Sequence, residues 1–269
     1  MLILGINAFH PDSAACVLRE GKLVAAAEEE RFRRIKHWAG LPTRAIDYCL
    51  KEAGATLSDV DHVAINRNPR ANAYRRFLFL LRHRPAYELV WSRIRNVFAA
   101  QSIRLPLARN CRGEIRGKVH HIEHHRAHLG SSYFASGFEE AVCVSVDGCG
   151  DFTSTAWGWG CEGLDIHQRI YFPHSLGIFY SALTQFLGFN SFGDEYKVMG
   201  LAAYGRPRYV KELGEVLQLE AHGGFKLDLR FFKHHIENVS YGWEDCAPEL
   251  GTLYAPELEA LLGPPRQRD

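Results

Sequence analysis

The sequence has no long apolar run. Its start, Met1-Leu2-Ile3-Leu4-Gly5-Ile6, is apolar but short and carries no basic leader. A secretory signal needs a longer apolar core behind positive charge, and a membrane span needs about 20 apolar residues. The cytoplasm is therefore the expected location, and no membrane partner is expected. Charge of one sign is lacking too: 32 Lys and Arg stand against 31 Asp and Glu, a net charge of +1. No whole-molecule field points to a membrane surface or to nucleic acid, and neither is expected as a partner. The seven cysteines (Cys16, Cys49, Cys111, Cys143, Cys149, Cys161 and Cys246) include no C-x-x-C pair. Reduced thiols buried as small apolar residues are the expectation, with a thiolate metal or redox role as the alternative. The glycine-rich segment Asp147 to Thr155 has the spacing of neither G-x-x-x-x-G-K-[ST] nor G-x-G-x-x-G, the two common phosphate-binding signatures.

What is present is an ordinary globular composition, 46% apolar with aromatic and β-branched residues spread along most of the chain, which argues against disorder. The first thirty residues read as strand, loop, strand, turn, strand. Leu2 to Ile6 is apolar, Asn7 to Ser13 carries loop residues, and Ala14 to Leu18 is apolar again. Glu20-Gly21 makes a turn, and Leu23 to Ala27 runs into Glu28-Glu29-Glu30. The same layout recurs downstream: apolar Ala141 to Val146, a Gly-, Asp- and Thr-rich loop from Asp147 to Thr155, then Ala156 to Trp159 and a turn over Gly160 to Gly163. Strand, polar loop and small-residue strand used twice predict two related sub-domains facing across a cleft, residues 1–139 and 140–269. Pro42 to Ala53 is predicted helical, ending at Gly54; Val60 to Asn66 is a predicted strand; Ser175 to Leu187 is a predicted helix capped at Ser175 and closed by Gly188. The tail from Gly263 onward is expected to fray. Arg67 to Arg112 holds eleven Arg, no Lys and a single acid, Glu88. Its apolar residues recur at helical spacing, which predicts a basic amphipathic insertion, placed at residues 67–118 of the first sub-domain. It is either a solvated face over a packed stripe or a surface for a partner chain or an anion.

Four motifs carry chemistry. In Glu123-His124-His125-Arg126-Ala127-His128 the imidazoles of His124 and His128 are four apart, hence on one face of a helix and able to share a metal ion; His125 points about 100° away. Exposed or capped histidines are the alternative. Asp147, following an apolar strand at the mouth of the expected cleft, favours the metal, because two imidazoles and a carboxylate leave coordination positions open to substrate. The loop Asp147-Gly148-Cys149-Gly150-Asp151-Phe152-Thr153-Ser154-Thr155 suits a nucleotide phosphate held by backbone N–H groups, or is a plain turn. His10, Asp12 and Ser13 share a loop, and Arg31, Arg33, Arg34 and Lys36 crowd behind Glu28-Glu29-Glu30; a surface charge cluster is the alternative there. In Gly193 to Gly205, small residues follow Lys197, so a flat ligand could approach the backbone.

Taken in order, L-G-I-N-A-F-H-P-D-S-A-A, A-E-E-E-R-F-R-R-I-K-H, E-H-H-R-A-H, V-D-G-C-G-D, S-L-G-I-F-Y and G-D-E-Y-K-V-M-G-L-A-A-Y-G resemble the amino-terminal domain of the NodU/CmcH-type O-carbamoyltransferases, from Met1 to about Tyr209. The resemblance implies a mixed α/β fold of the duplicated ribonuclease-H-like (actin-like ATPase) type, related to the protein that threonylcarbamoylates transfer RNA, with its second half incomplete here. It implies a divalent metal, iron in the family, on His124, His128 and Asp147. It implies that carbamoyl-adenylate, derived from ATP and carbamoyl phosphate, binds near Asp147, Gly148, Gly150, Lys197 and Gly200. His10 and Lys36 fall in motifs lining the transfer cleft, and the acceptor is a small-molecule or sugar hydroxyl. The chain departs from the family in length. A further metal-binding aspartate and the domain that makes the adenylate are missing if it ends at Asp269, so a carboxyl-terminal partner chain or a homodimer is expected. Three other readings stay open: a transfer-RNA threonylcarbamoylation relative, which the E-E-E-R-F-R-R-I-K-H stretch and the Arg-rich segment disfavour; a non-catalytic nucleotide-binding module, which the missing half favours; and a sugar-kinase-like enzyme, which leaves the histidine pair unexplained.

Overall fold

A computed structural model describes residues 1–83, 85, 87, 104–111, 114–237 and 250–267. They fall into two compact units, one drawing on Met1–Pro69 and Ser92–His124, the other on Arg70–Trp91, His125–Ser240 and Leu250–Asp269. No described helix is long and apolar enough to cross a membrane.

The first unit is built on a five-stranded sheet of order β3-β2-β1-β4-β5. Strands β1 (Leu2–Asn7), β2 (Ala14–Arg19) and β3 (Lys22–Glu28) form an antiparallel meander. Its second turn is Glu20-Gly21, both at positive φ, the two-residue turn whose twist matches that of the strands. Strands β4 (His62–Ile65) and β5 (Lys118–His121) then add parallel to β1. Alternation decides which side faces in: Leu2, Leu4 and Ile6 are buried, as are Ala15 and Val17. Helix α1 (Glu30–Arg33) follows β3, and helix α2 (Thr43–Glu52) lays Ala45, Ile46, Cys49 and Leu50 on the sheet. No side chain at Pro42 caps α2. Glu29, fully buried, does so from a distance: its carboxylate accepts from Ala45 N (2.8 Å) and Arg44 N (3.3 Å) and takes Arg33 Nε at 2.7 Å. One of the three consecutive acids is thus a helix cap rather than surface charge.

The second unit repeats the opening of the first. Strands β6 (Glu140–Gly150), β7 (Thr153–Cys161) and β8 (Leu164–Tyr171) form another antiparallel meander. Here the structure corrects the sequence reading. The Gly-rich segment is no open loop: β6 runs through Gly150, which pairs with Thr153, and only Asp151 and Phe152, both at positive φ, make the turn. Strand order and directions in the first unit are ribonuclease-H-like, and β6–β8 repeat β1–β3, so the fold is mixed α/β of the duplicated ribonuclease-H type. Among the described residues β6 has a strand on one side only.

The Arg-rich stretch contributes to both cores. Helix α3 (Ala73–His83) buries Phe79 against Phe152 and Phe172 in the second unit, while helix α4 (Arg104–Asn110) buries Leu107 in the first; the expected stripe from Val90 to Phe98 lies outside the described residues. Helix α5 (His124–Ser136) packs Leu129 and Tyr133 on Cys143 and Ala156. Helix α6 (Leu176–Phe186) is capped by Ser175, whose hydroxyl accepts from Ile178 N. Gly188, at φ +86, follows it. Helices α7 (Glu195–Ala202), α8 (Val210–Val216) and α9 (Pro256–Leu262) complete the unit with a two-stranded ribbon, β9 (Leu217–Leu219) and β10 (Phe225–Leu227). The tail is held where fraying was expected: Arg266 N donates to Phe186 O at 3.0 Å. The described cysteines are all free thiols. Burial pushes Cys49 up to about 11 and Cys111 up to about 12, as small apolar residues rather than reactive thiolates. Cys246 lies outside the described residues.

Candidate metal centre

Helix α5 begins at His124, three residues after β5 ends. His124 is buried, and its Nδ1 lies 3.3 Å from the Asn66 carbonyl at the end of β4. A carbonyl only accepts, so Nδ1 donates there, which leaves Nε2 as the nitrogen that would face a metal. Asn66 is in turn fixed by Asn7 Oδ1 (3.2 Å), at the end of β1. One turn along α5, His128 places Nε2 3.8 Å from Asp147 Oδ2. The other carboxylate oxygen of Asp147 accepts from Gly148 N at 2.6 Å. His124, His128 and Asp147 each offer a ligand atom, all within 4.8 Å of one another. The division between the units passes through α5, between His124 and His125, so the histidine pair belongs to one continuous helix.

The end of β6 is braced from α6. Ser175, fully buried, donates to the carbonyls of Asp147 (3.0 Å) and Gly148 (2.6 Å). Gly177 packs so closely that a Cβ there would lie 2.6 Å from Gly148 N and 2.7 Å from the Asp147 carbonyl; only glycine fits. His125 turns the other way, as its position in the helix requires, and is fully buried against β6 and β7.

His10 is brought near this group: its ring stands 5.8 Å from that of His124, and its loop is held by Ser13, which bonds the carbonyls of His10 and Gly40 at 2.9 Å each. Lys36 lies in an exposed turn. Beside it, His37 Nδ1 meets Asp12 Oδ1 at 2.8 Å and its N–H donates to Glu30 Oε2 at 2.9 Å. Asp12, Glu30 and His37 form a second group with ligand atoms within 4.8 Å, so the two charged motifs meet as a cluster. Gly148 and Gly150 are strand residues. Lys197 sits on α7, paired with Asp194 at 2.6 Å, and Gly200 is exposed on the same helix. α7 reaches α6 through Glu195, which bonds Tyr180 and Ser181. Sequence reasoning missed Asn7, Asn66 and Ser175 as supports. Asn at a strand end and Ser before a helix were visible signals, but which atoms they bond depends on register.

The fold and this donor set define a ribonuclease-H-like protein with a candidate site for a divalent metal. The chain belongs to the carbamoyltransferase N-terminus family, matching it over residues 2–242. It is 38% identical to an uncharacterized protein of Synechocystis sp. over 86% of this chain and 39% of that one. It is 36% identical to nodulation protein NolNO of Sinorhizobium fredii over 83% of this chain and 32% of that one. The chain therefore spans 39% and 32% of the length of these two relatives. Among solved structures it is similar to YeaZ from Pseudomonas aeruginosa (TM-score 0.33, 16% identity, 64% of this chain and 67% of that one). It is also similar to component A of the (R)-2-hydroxyglutaryl-CoA dehydratase of Acidaminococcus fermentans (TM-score 0.38, 13% identity, 77% and 70%); the fold assignment rests on strand order.

Proposed function

We propose that this chain is the acceptor-side domain of an O-carbamoyltransferase, moving a carbamoyl group from carbamoyl-adenylate to a hydroxyl of a small-molecule or sugar acceptor. The observation that carries the reading is the convergence of His124, His128 and Asp147 in a chain of the carbamoyltransferase N-terminus family. The donor set fits a divalent ion: two imidazoles and one carboxylate suit iron or zinc and leave positions open. Bound there, such an ion supplies a Lewis acid for the carbamoyl oxygen or the adenylate phosphate.

The chain's own residues do the rest. The acceptor oxygen bonds to the carbamoyl carbon, the carbon–oxygen bond to phosphate breaks, and AMP leaves. His10, whose ring stands beside that of His124, takes the hydroxyl proton. Lys36, in the exposed turn before His37, contributes positive charge. The strand end at Gly148 and Gly150 and the helix bearing Lys197 and Gly200 hold the nucleotide. Making the adenylate from carbamoyl phosphate and ATP is assigned to polypeptide that the longer relatives have beyond the matched segment.

The test is incubation with carbamoyl phosphate, ATP and a panel of hydroxyl acceptors, alone and with the carboxyl-terminal part of the Synechocystis relative. Product is expected only in the mixture, and His10→Ala and His128→Ala should abolish it. Product from this chain alone would relocate the chemistry; none from any mixture would favour a nucleotide-binding module without catalysis.

A further inference from the structure

The metal donors come from two elements, α5 and the end of β6, and what fixes their spacing is a residue outside the donor set. His125 is fully buried, Thr153 likewise, and Ser145 nearly so. Its Nε2 lies 2.9 Å from the Thr153 carbonyl and its Nδ1 2.9 Å from Ser145 Oγ. The carbonyl only accepts, so Nε2 donates; the Ser145 hydroxyl can satisfy Nδ1 in return. Both ring nitrogens are thereby used, away from solvent. A buried imidazole bonded at both ends is held in one rotamer, because any rotation strands two polar groups away from water.

Its anchor points matter as much as its burial. Ser145 stands two residues before Asp147 on β6. Thr153 opens β7 directly after the Asp151–Phe152 turn, and the turn is itself held by Asn72, whose Nδ2 donates to Asp151 O (2.8 Å) and to Thr153 Oγ1 (3.1 Å). His125 therefore ties α5 to both strands of the hairpin that carries Asp147, one residue from His124 and three from His128. The packed apolar contacts of α5 lie further along, at Leu129 and Tyr133. Those contacts set no direction, whereas two hydrogen bonds do.

We infer that His125 is a positioning residue: it sets the approach of His128 to Asp147 and so the metal affinity of the site, without touching the ion. This rests on the metal reading above. The probe is cobalt(II), titrated by its visible absorption into the full chain, with His128→Ala to show that the signal comes from the proposed donors. His125→Gln keeps a polar group of similar reach but cannot bond both partners in the same geometry. It should fold, weaken cobalt binding about 10–100-fold, as loss of a supporting partner does at metal sites, and speed hydrogen exchange across residues 147–153 even without metal. Leu57→Ala, in the core of the first unit, should lower the melting temperature and change neither readout. Wild-type affinity together with unchanged exchange in folded His125→Gln would overturn the inference. If the wild type binds no cobalt, the metal reading fails on its own, and the exchange measurement alone decides the brace: faster exchange keeps it, unchanged exchange removes it. Should His125→Gln not fold, Ser145→Ala, which removes one bond, is read the same way.

Discussion

The two sheets start alike and end differently. In the first, β1 has β2 antiparallel on one side and β4 parallel on the other, and α2 lies on the sheet. In the second, β6, the counterpart of β1, is longer, has only β7 beside it among the described residues, and turns Val142, Val144 and Val146 to solvent at 66%, 60% and 53% exposure. Trp159, which pairs with Val142 on the same face, is 42% exposed. The contrast teaches that strand pattern and strand environment are separable. Both strands alternate, yet one has its apolar side covered and the other covers only the Cys143–Ser145 side. Isolated edge strands usually carry lysine or proline against unwanted pairing; β6 has neither.

The largest expected effect sharpens that contrast. Leu4→Ala, at a fully buried position of β1, should cost about 2–5 kcal/mol, while Val144→Ala on the open face of β6 should cost under about 0.5 kcal/mol. Urea unfolding of both variants checks this, and comparable losses would mean that the valine face is covered in solution. Next in size is Glu29→Ala. It strips the distant cap from α2 and leaves Ala45 N without its acceptor, a loss of about 2 kcal/mol. Hydrogen exchange should show the opening confined to the first unit; uniform loss across both would contradict the division into units.

Smaller again is a pH effect confined to the second unit. Burial holds the imidazoles of His174 and His235 below the ordinary histidine range, and neighbouring charge, from Lys226 on His174 and from His83 on His235, adds to it. The folded state then binds fewer protons than the unfolded chain, whose histidines titrate near ~6.5. Stability from this source is complete above that pH and declines as pH falls below it. Melting of the second unit should drop from pH 7.5 to pH 5.5 more in the wild type than in His235→Phe; equal drops would remove the cause.

Much of the fold is legible in the sequence because short-range rules set it. Short apolar runs next to polar loop residues mark β1 and β6, Glu20-Gly21 marks a turn, and Ser175 marks a helix start. The histidine pair is legible for the same reason, since helical spacing alone puts His124 and His128 on one face. What is not legible depends on register or on distance along the chain. Asp147 to Thr155 reads as a loop because glycine, aspartate and threonine are loop residues, but tertiary pairing extends β6 through Gly150. Glu29 reads as surface charge because nothing local shows that the amino end of α2, fifteen residues on, lacks a cap. The Arg-rich stretch reads as one insertion because a helical period cannot say that Phe79 and Leu107 are claimed by different cores.

The open side of β6 has a practical consequence for how long the protein lasts in the test tube. A strand edge without a neighbour among the described residues, with three valines beside it, can template the same strand in another molecule. Where self-association draws on partly opened chains and does not reverse, inactivation becomes a race between opening and sticking. A melting temperature recorded on the isolated chain should then shift with scan rate and with protein concentration. Half-life at low micromolar concentration, rather than a midpoint, becomes the quantity to compare between variants.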